Sequence, residues 1–99
     1  MLKINLKTRK LRRGGCFTQL TQREIDVFML LLRRGDTVSC VDIETLMYDR
    51  DKPEDTKSVI RATVSTIRRK LEDVKFKYRL KAIYKNGYRL TTYEDWGLR

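Results

Sequence analysis

The sequence predicts an α+β domain with a short N-terminal antiparallel sheet, three helices and a C-terminal β-hairpin. Three observations carry this expectation. Apolar and polar residues alternate from Leu2 to Lys7, the period of a half-buried strand. Apolar residues then recur at helical spacing in three blocks between Leu20 and Val74. Finally, the strand-like segments 80–84 and 88–92 flank Asn86-Gly87, a strong short-range hairpin signal.

Each element follows from its residues. Leu2, Ile4 and Leu6 share one face of the first strand; Lys10 to Arg13 reads as a polar connection, and Gly14-Gly15 as a turn before Cys16-Phe17-Thr18. Two or three short strands are expected there. Thr21-Gln22-Arg23-Glu24 has the spacing of a capping box, with Leu20 and Ile25 placed as a hydrophobic staple. Ile25, Phe28, Leu31 and Leu32 fall on one side of the helix it opens, which should end near Arg34-Gly35. Ser39 to Asp42 can cap a shorter helix whose apolar side is Val41, Ile43, Leu46 and Met47. Residues 49–55 are polar, acidic and contain the only proline, so they form a loop. A long helix follows over 56–74, with Ile60, Val64, Ile67, Leu71 and Val74 as its buried stripe. Its other side carries Ser58, Arg61, Ala62, Ser65, Thr66 and Arg69, which are small or basic. In the hairpin turn, Asn86-Gly87 demands positive φ. Tyr78, Tyr93 and Trp96 read as packing residues, and Arg33 and Arg34 as a solvated helix end that suits the macrodipole.

With 99 residues, the chain suits one domain: strands over 1–19, a helical core over 20–74, a hairpin over 78–92 and a tail over 93–99. The formal net charge is +10, and it is segregated. Seven bases and no acid lie in 1–23, and eleven bases face two acids in 56–90, while 40–55 holds six acids and two bases. Such one-sided blocks point to a polyanionic partner, nucleic acid before an acidic membrane surface. The longest strictly apolar run, Val27 to Leu32, is too short for a bilayer span, and the basic N-terminus lacks an apolar signal core. A cytoplasmic, nucleoid-associated protein is therefore expected. Cys16 and Cys40 read as two small buried thiols, and with no histidine and no Cys-x-x-Cys spacing no metal or other cofactor is expected. No histidine, nucleophile elbow or phosphate loop marks an enzyme.

A helix, a shorter helix, a loop and a long basic helix followed by a basic hairpin make a winged helix-turn-helix. Leu20-Thr21-Gln22-Arg23-Glu24 resembles the motif that opens the first helix of OmpR/PhoB-type effector domains. Val64-Ser65-Thr66-Ile67-Arg68-Arg69-Lys70-Leu71-Glu72 resembles their Ile-x-x-Leu-Arg-Arg-Lys-Leu-Glu, and Gly87-Tyr88-Arg89-Leu90 the end of their wing. The motifs run in order over some 70 residues. The resemblance implies duplex-DNA binding and transcription regulation, with the long helix in the major groove and the wing at the minor groove. It assigns Ser58, Val59, Thr63 and Thr66 to the groove, with Arg61 beside them, and Ser65, Arg68 and Arg69 mostly to phosphates. In the wing it assigns Ala82, Tyr84, Lys85 and Asn86, with Lys81 among the basic arms and Tyr88 near the backbone.

Departures from the family pattern are specific. Arg61 stands where an acid is usual, Thr66 where a base-reading arginine is frequent, and Tyr84-Lys85 where arginine and glycine are usual. The family's four-stranded N-terminal sheet is expected in abbreviated form. The chain reads as a stand-alone effector domain without a phosphorylated receiver, so aspartyl phosphorylation is not expected to be its switch. A homodimer on DNA is left open. Two alternatives also stand open: an RNA-polymerase-interacting protein acting through the acidic loop 48–55, and an RNA-binding winged helix.

Overall fold

The computed structural model describes residues 1–48 and 54–98. Strands β1 (Leu2–Asn5), β2 (Lys10–Arg13) and β3 (Cys16–Gln19) precede helix α1 (Gln22–Arg34). Strand β4 (Thr37–Ser39) leads into α2 (Cys40–Met47), and α3 (Thr56–Asp73) is followed by β5 (Tyr78–Ile83), β6 (Gly87–Thr92) and β7 (Trp96–Leu98). The first sheet has the order β3-β2-β1-β7 and the second the order β4-β6-β5. This is the α+β winged helix-turn-helix that the sequence predicts.

The N-terminal sheet has its full four strands, which corrects the expectation of an abbreviated one. Lys10–Arg13 is a strand rather than a connection, because its one apolar residue, Leu11, is fully buried opposite Ile4. Gly14, at φ 58°, and Gly15 join β2 to β3 in the register Arg13↔Cys16. The fourth strand comes from the C-terminal tail, where β7 runs parallel to β1 with Leu2 beside Trp96. Arg13 fastens the same ends together by donating to both carboxylate oxygens of Glu94, at 2.5 and 3.0 Å. Leu6 lies beyond β1 and is exposed, so the alternation, which runs to Lys7, extends two residues further than the strand.

Helix α1 forms where its cap dictates. The Thr21 hydroxyl accepts from the Glu24 amide at 3.2 Å, and the Glu24 carboxylate accepts from the Thr21 amide at 2.9 Å. Gly35 ends the helix at φ 69°. Ile25, Phe28, Leu31 and Leu32 are buried as expected, and Leu20 and Ile25 of the staple are buried with them. In α2 the Ser39 cap is present, but only Ile43 is buried; Val41 is 65% exposed and Leu46 43%. An eight-residue helix makes about two turns, and here Ile43 alone is buried, with Cys40 and Met47 packed partly buried against the core. Arg34 is not merely solvated: its guanidinium lies 3.2 Å from Asp42.

Among the described residues the core is a single cluster. Leu2, Ile4 and Leu11 reach it from the first sheet, and Val38, Leu80 and Leu90 from the second. The full α3 stripe from Ile60 to Leu71 belongs to the same cluster, with Val74 just past the helix. Trp96 and Tyr78 pack against this cluster, whereas Tyr93 is 61% exposed and is not a packing residue. Cys16 and Cys40 are half-buried free thiols. Among the described residues, no helix is long and apolar enough to cross a membrane.

Candidate nucleic-acid interface

The third helix is fixed at its start by Asp55. Its carboxylate accepts from the Ser58 amide at 3.1 Å and from the Ser58 hydroxyl at 2.7 Å. The two Ser58 hydrogen bonds hold the Asp55 carboxyl below its ordinary value. Thr56 is buried in the same turn, and its hydroxyl bonds the Glu44 carboxylate of α2. Ser58 therefore enters the interface with its hydroxyl already donating to Asp55.

Along α3, Arg61, Ala62, Ser65, Arg68 and Arg69 are exposed, with Val59 and Thr66 half-buried. Thr66 donates its hydroxyl to the Ala62 carbonyl at 3.0 Å. Its outward chemistry is thus a methyl group and oxygen lone pairs. Thr63 is 8% exposed and spends its hydroxyl on the Val59 carbonyl at 2.8 Å. It lies at the floor of a shallow hollow of about 390 Å³ formed by Ser58, Val59, Ala62 and Thr66 with Thr21, Arg23 and Glu24 of the α1 start. Arg23 was missed by sequence reasoning. It sits 5.5 Å from the Tyr48 ring, so its position depends on how the end of α2 packs beside the start of α1.

The wing meets α3 in a second, larger groove of about 550 Å³. Lys57 and Arg61 of α3, Ser39 to Val41 of β4 and α2, and Ala82 to Tyr88 of the hairpin line it. Tyr84, Lys85 and Asn86 are thereby brought together with Arg61. Lys57 also belongs to this groove and was not singled out from sequence; its exposed place in the first turn of α3 was the available signal. Tyr84 is 84% exposed, and the Lys85 ammonium lies 5.3 Å from its ring. Lys81 is exposed on β5 opposite Arg89 and does not line the groove.

The wing tip differs from the expected Asn-Gly turn. Ile83 pairs with Gly87, leaving Tyr84, Lys85 and Asn86 in the loop, and the Asn86 amide donates to the Ile83 carbonyl at 2.9 Å. The left-handed residue is Lys85, at φ 60°, rather than Asn86. Gly87, at φ 136°, answers a different need, because β6 runs against β4 there.

Arg68 and Tyr78 tie α3 to the hairpin. The Arg68 guanidinium donates to the Leu80 carbonyl at 2.7 Å, and the Tyr78 hydroxyl lies 2.9 Å from the Glu72 carboxylate and 3.1 Å from the Arg68 carbonyl. Burial, then the bond to Glu72, pushes the Tyr78 hydroxyl up to about 12. Of the sequence-predicted phosphate ligands, Ser65 and Arg69 are exposed and have no side-chain partner among the described residues, while Arg68 is already engaged in holding the wing.

Residues 15–90 match the family model of the transcriptional regulatory protein C-terminal region. No curated protein sequence matches the chain. Several solved structures share its fold. The DNA-binding domain of Bacillus subtilis CssR is 24% identical with a TM-score of 0.77, covering 92% of this chain and 100% of that one. The DNA-binding domain of E. coli CadC is 20% identical with a TM-score of 0.75, over 88% and 82% of the two chains. The AdeR response-regulator DNA-binding domain, solved in complex with an intercistronic region, is 20% identical with a TM-score of 0.72, over 92% and 94%.

Proposed function

The chain belongs to the family of transcriptional regulatory protein C-terminal domains, the OmpR/PhoB-type DNA-binding domains, and from that premise we propose that it binds duplex DNA as a small transcription regulator. Helix α3 enters the major groove and the β5–β6 wing lies at the adjacent minor groove. One observation carries this reading: Arg61 and Lys57 on α3 share a groove with the projecting Tyr84-Lys85-Asn86 tip. A helix face of small side chains lets the axis approach base edges, and cations on either side neutralise phosphates. Ser58, Val59 and Thr66 read bases, with Thr63 behind them. Ser65, Arg61 and Arg69 hold phosphates, while Arg68 and Lys81 add charge from the wing side. The protein acts in the cytoplasm, without catalytic chemistry.

Titration of a random duplex at several salt concentrations tests the reading. About 6 phosphate contacts give a slope of log K against log salt of roughly −5. A slope near zero removes duplex binding as the function, and tighter binding to duplex RNA than to duplex DNA replaces it with the RNA reading. A polymerase contact through the acidic segment 48–55 is compatible with DNA binding. Residues 49–53 of that segment lie outside the described residues. Asp55 is committed to capping α3, which leaves Glu54 as its exposed described acid. Retention on polymerase after nuclease treatment is the measurement for that partner.

A further inference from the structure

The outward face of the N-terminal sheet carries a second cationic surface that the α3–wing reading does not use. Lys3, Arg12 and Phe17 stand in one row across β1, β2 and β3, and Asn5, Lys10 and Gln19 stand in the next. Lys3, Lys10 and Arg12 are exposed, and among the described residues no carboxylate pairs with any of them. Lys3 and Arg12 are direct cross-strand neighbours. Like charges at that spacing destabilise a sheet, so the pair is costly in the free protein and favourable only beside an anion. No acidic residue occurs anywhere in 1–23 to relieve it.

Phe17 gives the surface its second property. It is 63% exposed, although phenylalanine is ordinarily an interior residue. The Lys10 ammonium lies 5.3 Å from its ring centroid. Lys3, Asn5, Thr8, Lys10, Arg12 and Phe17 line a cleft of about 300 Å³. An open aromatic ring ringed by cations and amide or hydroxyl groups is the chemistry that binds unstacked bases with their phosphates. A duplex does not offer base faces to such a ring, because they are stacked inside it. The cleft shares no lining residue with the hollow beside α3 or with the wing groove.

We propose that this sheet face is a single-stranded nucleic-acid site, with Phe17 stacking a base and Lys3, Lys10 and Arg12 holding the flanking phosphates. It allows one molecule to hold a duplex and a neighbouring single strand at once. The proposal does not depend on the duplex reading, and the following test separates the two.

Fluorescence anisotropy of a labelled oligothymidylate of about 10 nucleotides reads the site directly. The expected result is salt-dependent binding that persists when the protein is saturated with unlabelled duplex. Phe17→Leu should weaken oligothymidylate binding by about 5-fold or more, from loss of one stacked base, and leave duplex affinity unchanged. Lys3→Ala combined with Arg12→Ala should lower the single-strand salt slope by about 1.4. Their unchanged duplex affinity serves as the control for folding. Complete competition of the oligothymidylate by duplex overturns the proposal, as does an unaltered affinity in Phe17→Leu. Binding of vesicles rich in anionic lipid, with no binding of the oligothymidylate, assigns the face to a membrane surface instead. Absence of duplex binding with the oligothymidylate result intact would sink only the major-groove reading.

Discussion

A β-carbon on Gly87 would lie 1.9 Å from the carbonyl oxygen of Val38. The contact sets how closely β6 approaches β4, and with it where the wing stands relative to the start of α2. The Gly87 φ of 136° adds a backbone conformation that L side chains rarely adopt. Gly87→Ala should therefore cost at least about 1–3 kcal/mol from backbone strain, with the collision with Val38 in addition. The expected phenotype is a lower melting temperature together with weakened duplex binding, since the β4–β6 pairing must open to admit the methyl group. Unchanged thermal melting and amide protection at Val38 would contradict this account of the wing's attachment.

Lys85 combines two roles that substitutions can separate. Its φ of 60° is costly for a residue with a β-carbon, and its ammonium projects at the wing tip. Lys85→Gly should raise stability by about 1 kcal/mol by removing that strain. The same change should weaken binding to every duplex about equally and lower the salt slope by about 1, because a phosphate contact is lost. Lys85→Ala should weaken binding to the same degree without the gain in stability. Paired melting and titration curves on both variants check this; loss of stability in Lys85→Gly would show that the ammonium, not the backbone, holds the tip.

Much of this was legible locally, and what was not is long-range. The Thr21–Glu24 box, the Gly35 stop and the Ile60–Leu71 stripe each follow from spacing within one turn or one helix. Strand β4 has three residues and exists only because β6 pairs with it, and β7 pairs in parallel with a strand more than ninety residues away. Neither leaves a local signal. Lys10–Arg13 looked polar because three of its four side chains face solvent or an ion pair, while Leu11 alone carries its register. Asn86-Gly87 has the composition of a two-residue turn, but the glycine is consumed by the approach to Val38, so the turn moves back one residue onto Lys85. In the interface, residue types were readable; which hydroxyls were already spent within α3, and that Arg23 and Lys57 join the site, required the packed arrangement.

Thr66 should affect sequence preference more than overall affinity. Its hydroxyl hydrogen is given to Ala62, so in the proposed complex it meets DNA as a methyl group and acceptor, suited to a thymine methyl or a base amino group. Thr66→Ala should leave random-duplex affinity within about twofold and change the ranking of selected sites by about 1 kcal/mol or more at one base position. Selection from a random duplex pool with both proteins reads this out. Identical selected motifs would remove Thr66 from the base-reading face.

The Glu24–Lys70 pair predicts an acid-sensitive link between α1 and α3. Burial raises the Glu24 carboxyl, but the Lys70 ammonium at 2.5 Å and the Thr21 amide outweigh it, and the net shift is downward from 4.5. A carboxyl lowered on folding contributes stability that is present above its ordinary range and is lost as pH falls through the lowered value. Glu24→Gln keeps an acceptor for the Thr21 amide and removes the charge. It should cost roughly 1.5–3 kcal/mol near neutral pH, the value of a hydrogen bond to a charged group. The difference from the unaltered protein should shrink below pH 4.5. A constant difference across denaturant titrations from neutral to acid would rule out the ionic origin.

Tyr78 offers the complementary test at alkaline pH, and it bears on how the wing is aimed. Its hydroxyl bridges Glu72 and the Arg68 carbonyl of α3, while Arg68 reaches forward to Leu80 on the next strand residue but one. Together they hold the hairpin against the C-terminal half of α3. A tyrosine raised from 10 to about 12 on folding contributes stability that is complete below pH 10 and is lost as pH rises toward 12. Ionisation there places a phenolate beside the Glu72 carboxylate, and both the hydrogen bond and the charge balance fail together. Tyr78→Phe should remove this alkaline limb, cost about 1 kcal/mol at neutral pH, and leave the acid limb alone. It should also reduce duplex affinity, although Tyr78 touches no DNA in the proposed complex, because the angle between α3 and the wing is released. The chain has five tyrosines, so the difference in ultraviolet titration between the unaltered protein and Tyr78→Phe isolates the late-titrating group. Full ionisation of all tyrosines near pH 10 in the unaltered protein would contradict the bridge from Tyr78 to Glu72 and Arg68. Unchanged duplex affinity in Tyr78→Phe would show that the Arg68–Leu80 bond alone is enough to aim the wing.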